Sequence, residues 1–205
     1  MPLFLHWAVY SFLPLPLAFS RRTGPAFAAA NGQFMLFKRE TYEACGGHEA
    51  ARDQVLEDVA LARAVKKAGY CALLADGSDL MTTRMYEGPS EVWRGYSKNA
   101  YAFFGYSPFF AALGILILLI LYLAPIPLAL YSVLSPQSSV LIVAAVQYGL
   151  GVVPRLLLAW RFNYSRWDAL LHPLAVLFQV VIIVNSMVWA HTGKGTWKGR
   201  APIVR

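Results

Sequence analysis

Charge is missing from the middle of this chain: from Asn99 to Pro154 there is no Asp, Glu, Lys or Arg, a run of 56 residues. Carboxylates are scarce beyond it as well, since Asp168 is the only acidic residue after position 98. Cysteine is limited to Cys45 and Cys71. That excludes a disulfide framework and suits a reducing, cytosolic face. Cys45 and His48 stand three residues apart, but no two further ligands accompany them, so no metal site is assigned. The N-terminal run Met1–Phe19 lacks a basic region ahead of it. Arg21 and Arg22 follow the run, and Pro2, Pro14 and Pro16 interrupt it, which argues against a signal peptide. It is barely long enough to span a bilayer, and an interfacial segment fits equally well.

Apolar side chains fill the space that charge leaves. Hydrophobic residues make up 58% of the 205, and the mean hydropathy is +0.47. A soluble domain sits nearer half apolar, so the chain is read as a membrane protein. Residues 1–98 hold 11 Lys/Arg against 10 Asp/Glu, whereas residues 99–205 hold 7 Lys/Arg against one. The net +7 therefore belongs mainly to the membrane half, in short segments beside apolar runs. A nucleic-acid partner, which needs a basic stripe on a folded face, is not expected.

The expected organisation has four parts: a membrane or interfacial segment over 1–19, a polar island over 20–104, a helical membrane region over 105–192, and a basic tail over 193–205. The uncharged stretch is too long for one helix and fits two. One runs over about 107–134, kinked at Pro125 and Pro127; the other runs over about 139–160, with a turn at 135–138. A third apolar helix is expected over 169–191. The charge rule conflicts with three full crossings, because it places both Arg155, Arg161 and Arg166 and the basic tail on the inner side. Asn185 and His172-Pro173 leave re-entry open for the third helix.

Within the polar island, Phe34–Phe37, Tyr70–Ala75 and Leu80–Tyr86 read as strands, with Asp76-Gly77 as a turn. Arg39–Ala44 and Asp58–Ala68 read as helices, the latter ending in Lys66, Lys67 and Gly69. This is α/β material. Glu57-Asp58 opens the second helix. An acidic pair there favours the helix dipole and can cap free amides. A carboxylate held by local amides can equally act as a general base on a hydroxyl. The residues alone leave both roles open.

The flanking series is more specific. It comprises Asn31-Gly32-Gln33-Phe34 through Gly46-Gly47-His48, then Val55-Leu56-Glu57-Asp58-Val59-Ala60-Leu61, Thr83-Arg84-Met85-Tyr86, Trp93-Arg94-Gly95-Tyr96-Ser97-Lys98-Asn99, and Thr196-Trp197-Lys198-Gly199-Arg200. Together these resemble the C-terminal half of a membrane glycosyltransferase of family 2, of the kind associated with carotenoid and hopanoid glycosylation. The resemblance implies a partial GT-A-type domain followed by about three transmembrane or re-entrant helices. It also implies inverting transfer from a nucleotide-sugar to a lipid-type acceptor on the cytoplasmic face of the cell membrane.

The resemblance makes Asp58 the base, with Glu57 its companion acid. Gly32 and Gln33 match the segment that approaches donor and acceptor, and Arg84 matches an arginine ahead of an aromatic residue. Trp93, Arg94 and Lys98 occupy the place of the Gln-x-x-Arg-Trp signature without matching it, which argues against polymer synthesis. Gly32 and Gly46-Gly47 can also serve turns alone, Arg84 can pair with a structural carboxylate, and Trp93, Trp197, Lys198 and Arg200 can meet the bilayer interface. The family's nucleotide-binding half, with its Asp-x-Asp motif for a divalent cation (Mg or Mn), has no counterpart in the series. The chain is thus expected to be a truncated or split enzyme, inactive alone, binding no cation by itself and completed by a separate N-terminal half. The alternative is a non-catalytic membrane subunit that docks a partner.

Overall fold

A computed structural model describes residues 23–73, 79–135, 138–163 and 165–193. The 1–19 segment, Arg21-Arg22, the Asp76-Gly77 turn, the centre of the 135–138 turn and the basic tail lie outside the described residues.

The described residues form helices and no strand, which overturns the α/β expectation and with it the partial GT-A-type domain. Phe34–Phe37, Tyr70–Leu73 and Met81–Tyr86 carry no strand hydrogen bonding. Phe34–Phe37 and Tyr70–Leu73 instead line a common groove of about 770 Å³. The physical reason is that β-propensity measures how a side chain fits a pleated, half-buried surface, not a backbone preference in its own right. Among the described residues, no neighbouring strand lies in that groove for such segments to pair with.

The polar island keeps two short helices, α1 (Arg39–Ala44) and α2 (Glu57–Lys67). Leu61, Ala62 and Val65 form the buried face of α2. Gly46 and Gly47, at φ of 79° and 53°, turn the chain after α1 into a 3-10 turn over Gly47–Ala51. That turn packs against α2. The Cys45 thiol bonds the Tyr42 carbonyl at 3.3 Å, and Tyr42 Oη meets His48 Nδ1 at 2.7 Å. Cys45 and His48 thus serve a local clasp around Tyr42. Upstream, the 3-10 turn Pro25–Phe27 packs against α2, and Lys66 Nζ donates to Thr23 Oγ1 at 3.1 Å.

α3 (Pro89–Phe103), a helix not expected from the sequence, closes the polar island, and α4 (Pro108–Leu118) opens the membrane region. The chain turns through 113° between them. Gly105 and Tyr106 make this corner at φ of 61° and 58°, and Ser107 caps α4. A left-handed pair followed by proline cannot continue a helix, so two helices form where an uninterrupted one would otherwise fit. Near Pro125 the helix changes type: Leu119–Leu123 is a π segment that runs into α5 (Pro125–Leu134). The proline lacks an N–H, and the wider turn before it absorbs the mismatch.

Next come α6 (Ser138–Arg161), the short α7 (Trp167–Leu170) and α8 (His172–Thr192). Of these, α6 and α8 are long and apolar enough to cross a membrane, and α3–α4 with its π extension would be a third, broken span. His172-Pro173 sits at the start of α8, where proline is tolerated, and Asn185 does not break the helix. At about 1.5 Å per residue, the 21 residues of α8 reach roughly 31 Å, the thickness of a hydrocarbon core.

The core forms where α8 meets α3, α4 and the π segment. It contains Tyr96, Ala100, Tyr101, Leu118, Val176, Ile182 and Ile183. Polar ties add direction: Asn185 Nδ2 donates to Ser97 Oγ at 2.9 Å, and the Tyr101 N–H donates to Ser186 Oγ at 2.9 Å. Such bonds between apolar helices fix their register. Elsewhere the bundle turns apolar residues outward, as with Phe109, Val133 and Leu150 at 70%, 70% and 72% exposure. That inversion of the usual surface suits a lipid surround. Arg155 is instead buried, with Nη1 3.0 Å from His172 Nδ1, so its charge faces the protein interior.

Candidate active site

Asp58 is the second residue of α2. The N-cap position belongs to Leu56, which supplies no side-chain cap. Both Asp58 oxygens nevertheless accept backbone hydrogen bonds: Oδ1 from the Val59 N–H at 2.7 Å, and Oδ2 from the Gly32 N–H at 2.8 Å. The first satisfies one of the free amides of the helix start. The second reaches across 26 residues and ties the island's entry loop to α2. Asn31 shapes that loop by accepting the Gln33 N–H on Oδ1 at 3.3 Å. A carboxylate has about four lone-pair positions, so two remain for a ligand.

Glycine at position 32 matters for approach. A Cβ there would stand 3.3 Å from Asp58 Oδ2, tighter than ordinary packing. The bare backbone lets the amide close on the carboxylate.

Asp58 lines a cavity of about 360 Å³. One wall comes from residues 26–31 and α2, including Arg63; the other comes from α3 and α8, including Tyr96, Asn99, Gln179 and Ile183. The carboxylate therefore opens onto a space shared between the polar island and a helix able to cross a membrane.

The pattern of glycosyl transferase family 21 matches residues 15–205. The chain belongs to glycosyl transferase family 21. No curated protein and no solved structure matches it. The expected placement in family 2 is thereby corrected to family 21, while the glycosyltransferase assignment stands. The Glu57-Asp58 series carries that broader likeness without separating the two families.

In this family 21 chain the structure brings together only part of the predicted set. Asp58 and Gly32 meet directly. Gln33 is exposed, its backbone engaged by Asn31. Glu57 is exposed and does not line the cavity. Arg84 and Arg94 are exposed, and Lys98 is half-buried; none of the three lines the cavity. Trp93 packs against the core formed by α3 and α8.

Sequence reasoning gave no role to Arg63, Asn99 or Gln179. Arg63 and Asn99 lie in or beside the motif series, but folding alone brings α2 and α3 to one cavity. Gln179 had a signal available: it is an amide inside an otherwise apolar helix, and polar residues in such helices mark interior sites.

The residues present do not fit a divalent cation. No group of three His, Cys, Asp or Glu side chains converges among the described residues. Asp58 stands without a second carboxylate in the cavity, since its acidic neighbour Glu57 is exposed and does not line it.

Proposed function

We propose that this chain is the acceptor- and membrane-side part of an inverting glycosyltransferase that moves a sugar from a nucleotide-sugar to a lipid-type acceptor. The observation that carries the reading is Asp58, oriented by the Gly32 amide, opening onto a cavity walled on one side by α8. An acceptor hydroxyl entering that cavity loses its proton to the Asp58 carboxylate. Its oxygen bonds to the anomeric carbon from the face opposite the leaving group, and the bond from that carbon to the phosphate oxygen breaks. The nucleoside diphosphate leaves with the electron pair, and the configuration inverts.

The apolar walls support a lipid-type acceptor. A hydroxyl attached to an apolar body is held in place by Tyr96, Phe103, Phe104 and Ile183 while the head reaches Asp58. Tethering both partners at one membrane raises their effective concentration. The polar island is assigned to the cytoplasmic face of the cell membrane, a reading that the basic residues beside the apolar runs support.

Donor binding is assigned to a separate N-terminal half, which would also hold the divalent cation. The groove along Phe34–Phe37 and Tyr70–Leu73 supports this, because Leu36 and Leu73 stand 87% and 74% exposed on segments with no strand partner among the described residues. Exposed apolar residues on unpaired extended backbone are a surface for another piece of protein. The 205-residue chain alone is then inactive. A transfer assay on the completed enzyme tests the reading. Asp58→Asn abolishes transfer while assembly persists; full activity in that variant overturns the reading in favour of a docking subunit.

A further inference from the structure

Pro125 leaves two carbonyls of the broken helix short of a backbone donor. In an α-helix the Leu121 carbonyl takes its hydrogen bond from residue 125, and in a π-helix the Ile120 carbonyl does so. Both registers call on the same residue, and proline has no N–H to give. The donor that an α-helix would offer Ile120, the Ala124 N–H, goes instead to the Leu119 carbonyl at 2.9 Å. A carboxamide from another helix makes up the loss. Gln147 Nε2 on α6 donates to the Ile120 carbonyl at 2.6 Å and to the Leu121 carbonyl at 3.2 Å. These are the two carbonyls that Pro125 cannot serve.

The rest of that α6 face fits the same segment. Gly151 stands one turn on, and a Cβ there would come within 3.1 Å of the Tyr122 ring and 3.3 Å of the His172 ring. The bare backbone admits Tyr122, whose ring meets His172 edge to face at 4.6 Å between centroids. Arg155, a further turn on, bonds His172 itself. Gln147, Gly151 and Arg155 thus form a stripe at four-residue spacing along α6 that receives the π segment and the start of α8.

We propose that Gln147 is a conformational latch. Its amide stands in for the N–H that Pro125 lacks, holds Leu119–Leu123 in the π register, and so seats Tyr122 on the start of α8. Between apolar helices water is not at hand to replace that amide. With the latch gone, the segment relaxes toward the α register, where the Ala124 N–H returns to Ile120 and only the Leu121 carbonyl stays open. The latch acts on the bundle whether or not transfer occurs.

The test uses the full chain in nanodiscs, followed by thermal melting and amide hydrogen exchange. Gln147→Leu lowers Tm by at least about 3 °C. It also speeds exchange over residues 119–124 by roughly tenfold, while exchange in α2 is unchanged. Gln147→Met, equally without a strong donor, behaves like the leucine variant. Pro125→Ala supplies the missing N–H, so in that background Gln147→Leu produces less than half of either effect. Equal effects in both backgrounds, or no effect in the otherwise native chain, overturn the latch. If Gln147→Leu alone does not fold, recovery of a folded chain on adding Pro125→Ala supports the latch, and failure of both overturns it.

Discussion

The Gly32 amide donates to Asp58 Oδ2 at 2.8 Å across 26 residues of sequence. This bond joins the island's entry loop to the start of α2 and fixes how the carboxylate meets the cavity. Removing the carboxylate's charge in Asp58→Asn is expected to lower transfer by the completed enzyme by about 10²- to 10⁴-fold, the usual contribution of a general base. Thermal stability should change little by comparison. Rates in single-turnover assays, measured beside circular dichroism, check both parts.

Gly32→Ala tests the positioning alone. The new Cβ would stand 3.3 Å from Oδ2, so the carboxylate or the loop must shift by a few tenths of an ångström. The expected result is a reduced kcat with acceptor KM nearly unchanged and the fold intact. An unchanged kcat would show that the loop yields without moving Asp58.

Gly95 on α3 should tolerate no side chain. A Cβ there would run into the Tyr86 ring and hydroxyl, and that ring also packs against Tyr96 at 5.9 Å between centroids. Overpacking of this kind costs about 1–3 kcal/mol, so Gly95→Ala should lower the melting temperature in detergent. Truncating Tyr86 in the same chain should recover part of the loss.

The Asn185–Ser97 bond at 2.9 Å should show as coupling between α3 and α8. A double-mutant cycle of Asn185→Leu and Ser97→Ala is expected to give an interaction energy of about 0.5–1.5 kcal/mol, in line with hydrogen bonds between membrane helices. Independent, additive effects would place the register of these helices in apolar packing alone.

Tyr86 should titrate above the ordinary tyrosine value of 10.0, because burial disfavours its phenolate and the Glu91 carboxylate adds repulsion. Since the folded pKa exceeds the unfolded one, this contribution to stability is fully present below pH 10 and is lost as pH rises through the raised value. Ultraviolet titration of wild type against Tyr86→Phe isolates the transition, and Glu91→Gln should move it downward.

How much of this was legible beforehand depends on the range of the interaction involved. The uncharged run from Asn99 to Pro154 announced apolar helices, and Pro125 marked where the helix changes type, because each effect acts within one or two helical turns. The helix beginning at Glu57-Asp58 was readable for the same reason, from its apolar face and its Lys66-Lys67-Gly69 end. The boundary at Gly105-Tyr106 fell between the expected island, ending at 104, and the helix expected from about 107, but the helix Pro89–Phe103 before it was not read. The strands were misread because alternation and β-branching describe a surface awaiting a partner, and pairing is a tertiary event. Arg84, Arg94 and Lys98 were drawn from motif position, yet the fold leaves them off the cavity.

By itself, then, the sequence determined that this is a glycosyltransferase chain with helices long and apolar enough to cross a membrane and an acidic pair at a helix start. Those properties reside in composition, short-range periodicity and local motif. Only the tertiary structure decided that Asp58 and not Glu57 faces the cavity, that Gly32 holds it, and that Asn99 and Gln179 stand opposite from two different helices. Convergence of residues as far apart as 32, 58, 99 and 179 depends on how α2, α3 and α8 pack. Packing is set by complementary surfaces brought together over long sequence separations, which no local pattern encodes.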